Sequence, residues 1–227
     1  MNRKIAGMLL AMLISIVFTC GFYSTGNAAL KNDPEIEELK QKYEKLEASV
    51  ANLQKEVENL EERFHEEMAV IASLKAGEGE VLPIYRANVD DYSREIGMYI
   101  SMPPEKSLRE KLDIMAQKVS LFYFEGLPIE VAEIKTEDDG RKIAVIDLKE
   151  SRENQSASEP SKYKGASWAA GYFQGSTGGI ETSVCLTETF LQKDYKGEWI
   201  DGASFTYEGG RVDNFDHIAN LAGTNYR

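Results

Sequence analysis

The sequence predicts an α+β protein in which an N-terminal signal segment and a long coiled-coil helix precede a single mixed or antiparallel sheet packed with two helices. Three observations carry this reading. A heptad period runs unbroken from Ile36 to Phe64, the composition changes abruptly at Ala76-Gly77-Glu78-Gly79, and strand-like and helix-like runs alternate after it. The 227 residues therefore divide into 1–30, 31–76 and 77–227. The balance of 26 Lys and Arg against 38 Asp and Glu, a net charge of −12, opposes a protein that grips nucleic acid by neutralising phosphates. Two Cys and two His exclude a disulfide-dense scaffold and a Cys-rich zinc site, and leave little for a histidine-based metal centre.

Residues 1–30 read as a targeting segment. Asn2, Arg3 and Lys4 give a short positive start, and residues 5–18 are uncharged and apolar, the length of a signal h-region and short of the roughly 20 residues that span a bilayer. Three fates fit: cleavage after Ala28 or Ala29, lipidation of Cys20, or retention as an anchor. Val17-Phe18-Thr19-Cys20 has the aliphatic start of a lipobox but departs from it at Phe18 and Thr19. Each fate puts the remaining chain outside the cytoplasm, secreted or attached to the outer face of the cell membrane, with membrane proximity through residues 1–30.

In residues 31–76 the apolar positions Ile36, Leu39, Tyr43, Leu46, Val50, Leu53, Val57, Leu60 and Phe64 alternate steps of three and four, and Ile71 and Leu74 resume the pattern after Glu67. This is a period of 3.5, with Ile36, Tyr43, Val50, Val57, Phe64 and Ile71 at a and mostly Leu at d. β-branched a and Leu d positions favour a parallel two-stranded coil. Pro34 suits the first turn behind Asp33, and no Gly interrupts residues 35–75. A helix with such a seam is unstable alone, so self-association through residues 36–74 is expected, with a heteromeric coil or packing back on the domain as alternatives. In a parallel homodimer Lys42 would face Glu47 favourably and Glu56 would face Glu61 unfavourably.

Residues 77–227 suffice for an independent core, so a chain cut at Gly77 is expected to fold. Residues 81–85 read as a first strand, with Pro83 implying an edge or an irregularity, and Ile96–Ile100 as a second. Leu108, Leu112, Met115, Val119 and Phe122 mark a helix over 105–122, stopped near Gly126. Residues 129–135 and 142–148 read as a hairpin turning at Gly140. Polar residues 149–165 read as a mobile solvated loop, 180–192 as a helix and 200–207 as a late strand.

The domain resembles the GerMN domain of spore germination and sporulation proteins of Gram-positive bacteria over residues 80–213. The resemblance rests on Phe122-Tyr123-Phe124-Glu125-Gly126-Leu127-Pro128, on Ala144-Val145-Ile146-Asp147-Leu148, and on Glu188-Thr189-Phe190 before Tyr207-Glu208-Gly209. The chain departs from the family pattern where Leu127 separates Gly126 from Pro128, at Phe190, and in its degraded lipobox. The resemblance implies a non-catalytic binding or assembly module of the envelope and transfers no ligand or catalytic residue.

Candidate site residues each have a plainer explanation. Gly175-Ser176-Thr177-Gly178-Gly179 suits an anion nest but lacks the P-loop pattern, and reads as a loop and helix cap. Asp147 reads as a turn cap, Cys185 as a buried thiol, His217 as a tail residue and His65 as a solvated helix residue. Asp90-Asp91 and Asp138-Asp139 lack calcium-loop spacing. Tyr85, Tyr92, Tyr99, Tyr123, Trp168, Tyr172 and Phe173 read as filling the core between sheet and helices, with an exposed carbohydrate or peptide platform as the alternative. No catalytic, cofactor-binding or metal residue is assigned, and no cofactor is expected. The expected function is that of a non-catalytic extracytoplasmic envelope or sporulation-associated binding or assembly protein, with a cell-envelope protein or peptidoglycan as partner. The alternatives are a solute or carbohydrate-binding module and a cell-wall hydrolase.

Overall fold

The computed structural model describes residues 34–77, 79–103, 105–212 and 214–227. The expected signal segment 1–30, Cys20 included, lies outside the described residues. Pro34 opens the first helix, α1 (Pro34–Ala76), and Gly77 ends it at φ 66°, its N–H bonding to the Ser73 carbonyl. Compactness divides the chain between Lys55 and Glu56, so the last part of α1 belongs to the globular unit.

In that unit β1 (Glu80–Ala87) and β2 (Arg94–Met102) form an antiparallel hairpin that buries Leu82, Ile84, Met98, Ile100 and Met102. The register slips between Ile84 and Tyr85, just after Pro83. A two-stranded sheet is marginal by itself, because its outer backbone groups need partners. Here side chains from helices supply them. The Tyr85 N–H donates to Thr189 Oγ1 at 2.9 Å and the Pro83 carbonyl accepts from Gln192 Nε2 at 2.7 Å, while on β2 the Ser101 N–H donates to Glu66 at 2.7 Å.

The second helix, α2 (Leu108–Tyr123), starts in a capping box: the Glu110 N–H donates to Ser107 Oγ, and the Ser107 N–H to the Glu110 carboxylate. It buries Leu112, Met115, Ala116, Val119 and Phe122 at helical spacing. It ends where Phe124 and Gly126 both donate to the Ser120 carbonyl, with Gly126 at φ 81°.

The remaining strands make a second sheet. β3 (Ile129–Thr136) and β4 (Lys142–Leu148) pair antiparallel across the expected Gly140 turn, with Gly140 at φ 88°. β5 (Gly202–Tyr207) lies parallel to β4, from Ile143 opposite Gly202 to Leu148 opposite Tyr207. The short β6 (Gly210–Arg211) and β7 (Thr224–Tyr226) pair with the two ends of β5. The β4 to β5 crossover carries α3 (Ser176–Leu191), which packs on β1 and on the turn Asp216–Leu221, whereas α2 packs on β3 and β2.

Three expectations are corrected. The strands form two sheets rather than a single one, because the edges of the β1–β2 hairpin are satisfied by helix side chains instead of by β3–β5. Residues 149–165 are not wholly a solvated loop. Glu150 and Asn154 are buried, and Asn154 bonds the Glu150 carboxylate, the Ala166 carbonyl and the Lys164 N–H. Helix α3 begins at Ser176 rather than Ile180, its glycines being accommodated by packing: a Cβ on Gly179 would sit 2.3 Å from the His217 carbonyl oxygen.

Candidate functional site

Helix α1 carries two faces with different chemistry. Between Asn59 and Ser73, a mostly polar stripe spaced by four and three residues docks on the domain. Asn59 Nδ2 donates to the Leu121 carbonyl at 3.1 Å, and Arg63 donates to Asn59 Oδ1 at 3.1 Å and to the Phe122 carbonyl at 2.5 Å. These carbonyls belong to the last turn of α2, where helical partners run out. The Arg63 guanidinium thus meets the negative end of α2, over the Phe122 and Tyr123 rings at 5.4 and 5.3 Å. Next along the stripe, Glu66, 6% exposed, accepts from the Ser101 N–H and pairs with Lys118 at 2.6 Å; Val70 is buried and Ser73 Oγ meets Ser101 Oγ at 2.6 Å.

The apolar seam of the same helix stays outside. In the globular unit Val57, Leu60, Phe64, Met68, Ile71 and Leu74 are exposed, Leu60 by 64% and Leu74 by 67%. In residues 34–55, Leu39, Tyr43, Leu46, Val50 and Leu53 are exposed as well. Isolated exposed apolar residues are ordinary, whereas large exposed apolar patches are characteristic of interaction sites in general.

A cleft of about 740 Å³ is the second candidate. One face of α3, Gly178, Glu181, Thr182 and Cys185 at helical spacing, forms one wall; the end of α2, Tyr123 to Glu125, forms another. The turn around Gly171 and Tyr172 and the end of β1 complete it. Its aromatic side is fixed from behind: the Tyr172 ring stands edge-on to Phe124 at 5.0 Å, and Trp168 backs both. The Tyr123 hydroxyl fits the notch left by Gly97, where a Cβ would lie 2.1 Å from it. Burial, and then the neighbouring Glu125 carboxylate that accepts the Tyr172 hydroxyl at 3.2 Å, push the Tyr172 phenol above its usual range.

Cys185 is buried at the cleft wall, and burial pushes its thiol up to about 12 against a weaker hydrogen bond with Thr189, so it is a thiol and not a thiolate at neutral pH. Asp147 accepts from Thr206 Oγ1 at 2.7 Å and from the Gly209 N–H at 2.9 Å, tying the strand ends to the turn. Gly175 is the N-cap of α3, at φ 73°. His217 is exposed and meets Gly179 through its backbone, and His65 is exposed beside Phe64. Asp91 accepts from Ser93 and Asp139 from Arg141, both within turns. Asp90 and Asp138 are exposed. Among the described residues no group of three His, Cys, Asp or Glu side chains is placed to hold a metal ion. Of the aromatics, Tyr85, Trp168 and Phe173 are buried, Tyr99 is exposed, the Tyr92 hydroxyl meets Thr177, and Tyr123 and Tyr172 line the cleft.

The docking residues Asn59, Arg63 and Glu66 are absent from the sequence-derived candidates, as are Glu125 and Glu181. Val70, an apolar residue in register with a polar stripe, is the one sequence signal of docking. No family model, curated protein or solved structure matches this chain.

Proposed function

We propose that this chain is a non-catalytic extracytoplasmic envelope protein, sporulation-associated as the GerMN resemblance implies, that self-associates through residues 36–74 and binds or assembles with another envelope component. The observation that supports this best is the division of labour on α1: polar side chains dock the helix on the domain, and the heptad seam is left solvent-exposed. A helix recruited only to complete the domain would turn its apolar face inward. The seam instead suits a second helix, and the a and d residues favour a parallel copy of the same chain. Two further features agree with a binding role: Cys185 lacks activation, and the Asp147, Asp91 and Asp139 carboxylates are engaged by neighbouring hydroxyl, backbone and guanidinium donors. The test is paired substitution of Leu53→Ala and Leu60→Ala. Each truncation removes about 2–5 kcal/mol of packing if the seam is buried in a partner, so dimers should become monomers with an unchanged circular dichroism signal from the domain. Unaltered mass for the double variant would count against the seam as the interface.

A further inference from the structure

We propose that the cleft between α3, the end of α2 and the Gly171–Tyr172 turn is a binding site for an organic ligand carrying an ammonium group. Its volume falls within the roughly 300–1,000 Å³ typical of small-molecule sites, and its lining is largely apolar with a few polar groups, as such sites are. The charge decides the ligand class. Arg86, the one basic residue of the lining, is committed at 2.6 Å to Glu95 outside the cleft. Glu181 is half-buried on the α3 wall, and its carboxylate has no hydrogen-bond or ion-pair partner among the described residues. Glu125 adds a second carboxylate from the opposite wall, oriented by the Tyr172 hydroxyl.

A half-buried carboxylate in a cleft that also holds aromatic rings suits a cation twice over. The carboxylate supplies Coulomb attraction, and the negative face of the Tyr172 ring, which no protein cation covers among the described residues, supplies cation–π attraction. Anions meet repulsion from Glu181 and Glu125. Neutral sugars find aromatic surface but leave Glu181 without its charge partner. The open positions at Gly165, Gly171 and Gly178, where a Cβ would meet nothing within 4 Å, leave room beside the rings. This inference concerns a site separate from the α1 seam and stands or falls independently of self-association.

Isotope-labelled full-length chain in detergent micelles is titrated by NMR with choline, with 1,5-diaminopentane, and with 3,3-dimethylbutan-1-ol, the uncharged isostere of choline. The expected result is saturable shifts at the amides of Gly171, Gly178, Glu181 and Thr182 with at least one cation, and about tenfold weaker binding of the isostere. The two cations separate a quaternary from a primary ammonium preference. Glu181→Gln should weaken the cation about tenfold without affecting the isostere, and Tyr172→Leu, which keeps apolar volume, should narrow the gap between them. Equal binding of cation and isostere would overturn the proposal, as would the absence of cleft shifts with both cations up to about 50 mM, beyond which affinity is negligible. Undiminished cation binding by Glu181→Gln would also overturn it.

Discussion

Removing the Glu66 carboxylate takes the acceptor from the Ser101 N–H and the counter-charge from Lys118 at once. A buried donor left unpaired costs about 1–3 kcal/mol, and Lys118 is exposed enough to rehydrate in part, so Glu66→Ala should cost about 2 kcal/mol in denaturant unfolding. Glu66→Gln, which keeps an acceptor for Ser101, should cost less; equal losses would show that the Ser101 bond contributes nothing. Cys185→Ala should cost about 1 kcal/mol, and thiol labelling of the native chain at Cys185 should be slow until unfolding, since burial keeps the thiol protonated. Rapid native labelling would contradict that packing. At the start of α2, the hydrogen bond from Lys106 and those from Ser107 hold the Glu110 carboxyl down at about 2. A depressed folded pKa means stabilisation present above the unfolded value near 4.5 and lost as pH falls through about 2, so Glu110 should titrate by NMR near pH 2 as the first turn of α2 loosens. A midpoint near 4.5 would remove the capping box from the account. The burial of Cys185 is legible in sequence because an apolar neighbourhood announces it, whereas Asp147, which reads as a cap on the turn after its own strand, bonds instead to Thr206 and Gly209 on β5 and the turn beyond it. The role of Glu66 is not legible, because a glutamate in a charged helix reads as solvated until β2 is known to lie against it.

At the scale of elements, α1 shows how far periodicity reaches. The helix and its seam follow from the 3.5-residue spacing, but the docking stripe occupies positions where polar residues are expected anyway. Asn59 and Arg63 cap the end of α2 across a long sequence separation, and local pattern contains no such pairing. The β3–β4 hairpin is legible from its Gly140 turn, whereas the parallel β4–β5 pairing joins strands far apart in sequence and β6 and β7 are too short to carry a period. The edge or irregularity expected from Pro83 is present as both an edge strand and a register slip. A chain beginning at residue 78 loses the Asn59, Arg63 and Glu66 bonds and the burial of Val70, so it should unfold cooperatively at a clearly lower temperature than one beginning at Glu56. Identical transition temperatures would mean that the docked part of α1 adds no stability.

For the whole molecule, legibility separates the two candidate surfaces. The seam is written in consecutive sequence and can be read directly. The cleft is assembled from β1, α2, the Tyr172 turn and α3, and its members look like core aromatics and surface acids until the fold brings them together. On the proposed reading, the seam left exposed by the docked helix pairs with a second copy of the chain. The most direct measurement is the solution mass of residues 31–227, unmodified, by light scattering across a concentration series. A parallel coil through Val50, Leu53, Val57 and Leu60 gives twice the chain mass, falling toward the monomer only on strong dilution. A monomeric mass throughout that series would show that the seam does not pair two copies of the chain.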